Sequence, residues 1–190
     1  MKISEAREKV RPHLTKERYD HSLRVAEVAV ELAEKFGESA EKAELAAVWH
    51  DHAKYRSKDE LKRWIISSRL PKDLLDYHHE LWHGPVGAIL LEREYGLKDK
   101  DIQNAIHYHT TGRANMTKME MIIFLADYIE PGRAFPGVKE VRETAKTDLT
   151  RSCWMAARNT IQFLTNKQTL VYPDTFHAYN DLTRKLTGGL

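Results

Sequence analysis

Cysteine is almost absent from this chain of 190 residues, in which Cys153 is the only one. A disulfide framework and a cysteine-rich metal site are therefore excluded, and the composition is usual for a protein of a reducing compartment. The sequence also lacks any apolar run close to the roughly 20 residues that cross a bilayer. Its charged beginning does not contain the apolar segment of a signal peptide. We therefore expect a cytoplasmic protein that does not bind a membrane.

The chain also lacks an excess of positive or negative charge. The 30 Lys and Arg residues are nearly balanced by 28 Asp and Glu residues, which gives a formal net charge of +2. A nucleic-acid-binding protein usually presents a strong positive field, so we expect no nucleic-acid partner. Internal repeats and low-complexity tracts are also missing.

No segment alternates between apolar and polar residues over the length of a β-strand, whereas helical periodicity fills nearly the whole chain. Ser39 is a plausible N-cap, and Ser57 and Thr117 each stand three residues before a glutamate, which is the capping-box pattern. The sequence predicts an all-α fold, a single helical bundle over residues 1–190, in which the C-terminal helices at about 149–186 pack on the rest. The predicted helices cover residues 15–36, 39–54, 58–68, 85–95, 99–109, 117–130, 138–146 and 149–167, with a last helix after the non-helical segment 170–175.

Histidine is unusually frequent for a chain of this length, with ten residues. His50 continues a helical stripe formed by Ala43 and Ala47, and Asp51 follows it directly. A buried imidazole or carboxylate without a partner costs about 1–3 kcal/mol or more. A metal ion would satisfy both groups at once.

Other polar residues also stand where the helical pattern expects an apolar residue. His21, His109 and Asp127 lie on the inward stripes of three further helices, and His83 lies just before a helix start, where anions are favoured. One buried histidine is usually a hydrogen-bonded core residue, but this many independent placements favour a metal centre. Imidazole and carboxylate without thiolate suit iron, manganese, zinc or cobalt. The histidines outside such stripes are expected on the surface or behind the ligands; these are His13, His52, His78, His79, His107 and His177.

The ordered set His21, His50-Asp51, His83, His109 and Asp127 resembles the metal-dependent phosphohydrolases of the HD-domain family. More narrowly, the chain looks like the YqeK-type branch, the bacterial symmetrical dinucleoside tetraphosphate hydrolases. Tyr172 departs from that pattern, in which a histidine is expected. The segments that carry the narrower resemblance are Arg18-Tyr19-Asp20-His21-Ser22, Trp82-His83-Gly84-Pro85, His109-Thr110-Thr111-Gly112, Ala126–Arg133 and Pro173-Asp174-Thr175.

The resemblance implies that the substrate is a dinucleoside polyphosphate, that diadenosine tetraphosphate is hydrolysed to two ADP, and that iron is the metal. The metal ligands would be His21, His50, Asp51 and Asp127. His83 and His109 would either complete a second metal site with Asp51 as the bridge, or contact the substrate phosphates. We favour one metal, with these two histidines facing the phosphates.

Phosphoryl transfer depends mainly on positioning and positive charge. The residues predicted to carry the chemistry are Asp51, Lys54, His83, His109 and Arg133. The residues predicted to contact the substrate are His21, Lys54, His83, His109, Thr110, Asp127, Arg133, Leu170, Val171, Tyr172, Pro173, Asp174 and Thr175. The segment 170–175 is included because its apolar run should pack on something, and a purine needs an aromatic or apolar face.

Two other functions fit the same residues. The chain could be another HD nucleotide phosphohydrolase, such as a nucleotidase or a deoxynucleotide triphosphohydrolase. It could instead be a nucleotide-sensing module with a structural metal, and turnover with and without a chelator separates the two classes. A homodimer is one of the states that the sequence allows.

Overall fold

The computed structural model describes residues 1–189, which form ten α-helices joined by turns and short 3-10 segments. The prediction of an all-α fold is confirmed, since this part of the chain contains no β-strand. The helices are α1 Ile3–Val10, α2 Lys16–Phe36, α3 Ala40–Trp49, α4 Lys58–Ser67, α5 His83–Tyr95, α6 Lys100–Tyr108, α7 Lys118–Ile129, α8 Val138–Ala145, α9 Leu149–Asn166 and α10 Pro173–Thr187.

Two of the three predicted helix starts are confirmed in full. The Ser39 hydroxyl accepts a hydrogen bond from the Lys42 backbone at 3.2 Å, and Thr117 forms a complete capping box with the glutamate three residues on. Ser57 caps α4, but the expected return bond is missing because Arg56 binds the Glu60 side chain at 2.6 Å. Capping therefore sets where these helices begin, as the sequence indicates.

The helix that was predicted to include His50 ends five residues earlier than expected. α3 stops at Trp49, and residues 50–55 form tight turns instead of reaching Lys54. The Nδ1 atoms of His50 and His52 donate to the carbonyls of Ala47 and Trp49, at 2.6 and 2.7 Å. These side chains bind two carbonyls that a continuing helix would use, so they compete with the backbone ladder.

The start of the last helix was also placed wrongly. α10 begins at Pro173, so residues 173–175, predicted to be non-helical, form its first turn. Proline is well suited to the first helical position because its missing N–H has no partner there.

The apolar core consists of two clusters that meet near the turn after α3. The larger one joins residues of every helix except α4, and Trp49 belongs to it. The smaller one joins α4, α5 and the segment between them, and it includes Ala53 and Tyr172. The chain crosses from one cluster to the other between Trp49 and Ala53, and Asp51 lies on this crossing. Across residues 1–189 every helix is too short or too polar to traverse a bilayer.

Candidate metal centre and active site

Five separate segments bring the predicted ligands together. His21 lies on α2, His50 and His109 follow the last residues of α3 and α6, His83 is the first residue of α5, and Asp127 lies on α7. The four histidines are buried, and Asp51, in the turn after α3, is fully buried as well. Residues far apart in sequence thus share one polar centre inside an apolar bundle.

Asp51 occupies the middle of this centre, and its two carboxylate oxygens face different histidines. Oδ2 lies 3.0 Å from His50 Nε2 and 3.9 Å from His21 Nε2. Oδ1 lies 3.0 Å from His83 Nε2 and 3.9 Å from His109 Nε2. The carboxylate can therefore contribute one oxygen to each of two sets of metal ligands.

The ligand atoms form two compact sets. Those of His21, His50 and Asp127 all lie within 4.8 Å of one another, and the same is true of His50, Asp51 and His109. The shortest contact in the first set joins His21 Nε2 to Asp127 Oδ1 at 3.0 Å. Such spacing allows several donors to reach one ion.

Backbone carbonyls orient two of the imidazoles. His50 Nδ1 donates to Ala47 O, and His109 Nδ1 donates to Ile106 O at 2.7 Å. Because a carbonyl can only accept, Nδ1 carries the proton and Nε2 presents a lone pair to the centre. Burial, followed by the nearby imidazoles, lowers the pKa of His109 to about 3, so this ring stays neutral. A neutral imidazole with a free lone pair is the form that binds a metal.

Glu130 orients the third imidazole. Its Oε1 lies 3.1 Å from His21 Nδ1, and the same carboxylate accepts from Arg24 Nε and from the Gly132 backbone, both at 2.6 Å. Burial acts to raise the pKa of Glu130, but Arg24 and the Gly132 N–H hold it at about 2. An ionised Glu130 fixes the His21 proton on Nδ1 and turns Nε2 toward the centre.

Several buried atoms of this centre have no hydrogen-bond partner among the described residues. They are Nε2 of His21, Nε2 of His50 and Oδ1 of Asp51, whereas Asp51 Oδ2 is in contact with the Arg18 guanidinium. Although His50 Nε2 and Asp51 Oδ2 are close, both present lone pairs and cannot bond to each other. Leaving such groups unpaired is costly, whereas one cation would satisfy all of them. The donor set therefore fits a divalent transition metal.

Both carboxylates of the centre are ionised. Burial tends to raise the pKa of Asp51, but the neighbouring imidazoles, His50 first and then His83, hold it well below its usual value. Burial likewise opposes a low pKa at Asp127, and the Arg133 guanidinium, 2.6 Å from Asp127 Oδ1, contributes to lowering it.

Sequence reasoning missed two residues that contact the ligands. Arg18 contacts Asp51 Oδ2 with its guanidinium, and Glu130 holds His21. Both could have been found, since Arg18 stands three residues before His21 and Glu130 three residues after Asp127. Helical residues at this spacing share a face.

The residues predicted to handle phosphate lie around the centre in different situations. Thr110 Oγ1 is 3.1 Å from His109 Nε2, and Arg133 binds Asp127. Lys54 is paired with Glu80 at 2.6 Å, so a substrate phosphate would have to compete with that carboxylate. Their contact with substrate stays a prediction.

A pocket of about 230 Å³ opens beside Thr110. Tyr172 and Asp174 line it, together with residues of the 69–85 region. Tyr172 is buried and packs edge-on against Tyr77, with ring centroids 4.9 Å apart. It therefore both covers core and faces the pocket, and its role in binding a nucleotide stays a prediction.

The expectation that the whole segment 170–175 packs is wrong at one end. Leu170 is 67% exposed, and it does not line this pocket. Leu170 lies three residues before the start of α10, and its side chain is left open to solvent.

One of the remaining histidines is neither on the surface nor touching the ligands. His52 is fully buried, and burial lowers its pKa to about 4. It packs edge-on against Trp49, with ring centroids 5.0 Å apart, and lies against Gly87 of α5. The early end of α3 turns this side chain into the core, which a continuous helix would not do.

Comparison with known proteins agrees with this geometry. The family model described as HD domain matches residues 18–132. A protein of Bacillus subtilis (strain 168) named symmetrical bis(5'-nucleosyl)-tetraphosphatase is 51% identical over 180 residues, covering 95% of this chain and 97% of that protein. A protein of Halalkalibacterium halodurans with the same name is 48% identical over 182 residues, covering 96% and 97% of the two chains.

A solved structure shares the fold over nearly the full length. It is the crystal structure of a predicted HD superfamily hydrolase involved in NAD metabolism from Clostridium acetobutylicum. The two chains superpose with a TM-score of 0.92 at 37% identity, covering 97% of this chain and 98% of the other. This chain therefore belongs to the HD-domain family and, within it, to the family of the symmetrical bis(5'-nucleosyl)-tetraphosphatases.

Proposed function

We propose that this protein hydrolyses diadenosine tetraphosphate symmetrically, adding one water across the central phosphoanhydride to give two ADP. The observation that carries the proposal is the position of Asp51, whose two oxygens each face a pair of histidines at 3.0 and 3.9 Å. The names of the relatives point to the same reaction.

The metal is held by His21, His50, Asp51 and Asp127 in this proposal, with iron as the ion. When bound, such an ion lowers the pKa of water and neutralises charge on phosphoryl oxygens. The donor set supports iron, manganese, zinc or cobalt equally well by its chemistry, and iron is chosen from the family resemblance.

His83 and His109 are better suited to a second cation than to phosphate. His109 carries its proton on Nδ1, which donates to Ile106 O, so its Nε2 offers a lone pair and would repel a phosphate oxygen. Asp51 Oδ1 lies 3.0 Å from His83 Nε2 and 3.9 Å from His109 Nε2, so Asp51, His83 and His109 would hold a second cation, which would supply further positive charge to the phosphates. We therefore replace our single-metal preference with a two-metal proposal.

The protein's other residues position the substrate. Arg133 and Lys54 offer positive charge to the phosphate chain, and Thr110 offers a hydroxyl donor. Arg24 does not face the substrate in this proposal, because it binds Glu130, the carboxylate that orients His21. The pocket beside Tyr172 and Asp174 would accept one nucleoside.

Two further aspects belong to this proposal. The C-terminal helices belong to the same domain as the metal centre, because Ala156 and Leu182 lie in one apolar cluster with residues of α2 and α7.

The single cysteine and a nucleotide substrate favour the cytoplasm as the place of action.

Product analysis tests the proposal. Purified protein is treated with chelator, divided, and assayed on diadenosine tetraphosphate with and without added ferrous, manganous or zinc ion. We expect ADP as the only nucleotide product, formed only after metal is restored. Equal amounts of ATP and AMP, or binding of the nucleotide without turnover in every sample, would overturn it.

A further inference from the structure

A second and larger groove, of about 680 Å³, lies between α9 and the turn that leads from α7 into α8. Its walls include Tyr128, Phe135 and Phe163. Phe135 is 36% exposed and Phe163 is 56% exposed, although both are large apolar side chains. Clustered exposed aromatic residues usually mark a binding surface.

The groove and the catalytic centre both include residues from the C-terminal end of α7 and the turn that follows it. Tyr128 follows Asp127 on α7, and Phe135 stands two residues after Arg133, whose guanidinium lies 2.6 Å from Asp127 Oδ1. Two residues span at most about 7 Å of extended chain. Tyr128 and Phe135 also pack edge-to-face, with ring centroids 4.9 Å apart, so this wall is fixed to the end of α7.

The chemistry of the lining suits an uncharged heterocycle and not a phosphate. None of the residues that line the groove is Lys or Arg, and Glu140 adds a negative charge. Lys167 Nζ lies 4.6 Å from the Phe163 ring centroid, so a base that stacks on that face of the ring has to displace the ammonium group.

The groove is lined by the side-chain amides of Gln162 and Asn166, whereas the amide of Asn159 is already bonded to Tyr128 and Arg158. Amides can pair with the amino and ring nitrogens of adenine, and an aromatic face can stack on the ring.

We propose that this groove binds the second nucleoside of the substrate, an inference that rests on the proposed function. A dinucleoside tetraphosphate carries one nucleoside on each side of the bond that is cleaved. The pocket beside Tyr172 takes one of them, and the Phe135–Phe163 groove takes the other. The tetraphosphate then passes across Arg133 and the metal centre, so that the central anhydride is presented for cleavage.

The test uses Phe163→Ala in the metal-loaded enzyme, because this exposed side chain can be removed without disturbing the core. Calorimetry with ADP is expected to show two sites per chain in the unaltered enzyme. In Phe163→Ala one dissociation constant rises about tenfold or more, and kcat/KM for diadenosine tetraphosphate falls by a similar factor. Phe163→Tyr, which keeps the aromatic face, restores both values. Ile66→Ala, a matched removal of a side chain that is 55% exposed on α4, changes neither.

Three results would overturn the assignment. They are a single ADP site in the unaltered enzyme, unchanged ADP binding in Phe163→Ala, and a dimer that dissociates in Phe163→Ala while nucleotide affinity is unchanged. Failure of the proposed function looks different, since the unaltered enzyme would then bind two ADP without cleaving the tetraphosphate. If the enzyme cleaves the tetraphosphate and Phe163→Ala does not change the rate, the assignment of the groove is wrong and the proposed function stands.

Discussion

The Nε2 atoms of His83 and His109 lie 3.1 Å apart, although 26 positions separate these residues in the chain. Gly84 makes this approach possible. A Cβ atom at position 84 would lie 2.9 Å from the His107 carbonyl and 3.3 Å from His109 Cε1. The start of α5 can therefore meet the end of α6 only without a side chain at this position.

Gly84→Ala should push the two helix ends apart. We expect a loss of stability of about 1–3 kcal/mol from overpacking, together with a fall in kcat/KM of at least tenfold. Gly87→Ala is the matched control on the same helix, since its added Cβ would instead lie 3.2 Å from His52 Cε1. Thermal unfolding and steady-state kinetics measure both effects. If both variants lost stability equally and kept full activity, the spacing of His83 and His109 would not matter for the reaction.

Glu130→Gln should weaken metal binding without removing a ligand. The substitution removes the charge that holds the His21 proton on Nδ1, and loss of such a supporting contact typically costs about 10- to 100-fold in metal affinity. Competitive titration against a coloured chelator gives the metal dissociation constant. The control is Glu120→Gln in the first turn of α7, where a buried glutamate binds Arg113 at 2.8 Å and is remote from the ligands. Equal metal affinity in both variants would contradict the role of Glu130.

Tyr172→Ala separates a nucleotide-binding role from a purely structural one. If Tyr172 stacks on a base, ADP affinity falls about tenfold to a hundredfold, with metal content unchanged and with recovery in Tyr172→Phe. Tyr77→Ala removes the ring that packs against Tyr172 and should reduce stability more than affinity. Unchanged ADP affinity with a lower Tm in Tyr172→Ala would show that Tyr172 only covers the core.

His83→Ala should reduce the metal content from two ions per chain to one. His83 Nε2 lies 3.0 Å from Asp51 Oδ1, on the side opposite to His50. Metal analysis by mass spectrometry counts the ions after gel filtration. One ion in both the unaltered protein and the variant would restore the single-metal arrangement that we favoured from the sequence.

Helical periodicity predicted the fold and most of the centre because it fixes the direction in which a side chain points. His21, His109 and Asp127 each replaced an apolar residue on an inward stripe, and the structure brings them to one place. Periodicity does not give distances between helices. The close approach at Gly84 was therefore not predictable, and the two-sided position of Asp51 was raised only by the family resemblance, as one of two alternatives.

Local hydrogen bonds explain the errors. The end of α3 was misplaced because His50 and His52 bind backbone carbonyls, and the same turn buries His52. Leu170 was expected to pack because it is apolar, but its exposure depends on which helices surround it. Composition alone carries no such information.

The most direct test of the account is the metal content and activity of Asp51→Asn, compared with Asp59→Asn on the exposed first turn of α4. The amide keeps the shape of the side chain and removes the charge that both sets of histidines face. We predict that Asp51→Asn folds, loses its bound metal and has no measurable hydrolysis of diadenosine tetraphosphate, while Asp59→Asn matches the unaltered protein. Stoichiometric metal and full hydrolysis in Asp51→Asn would contradict the account.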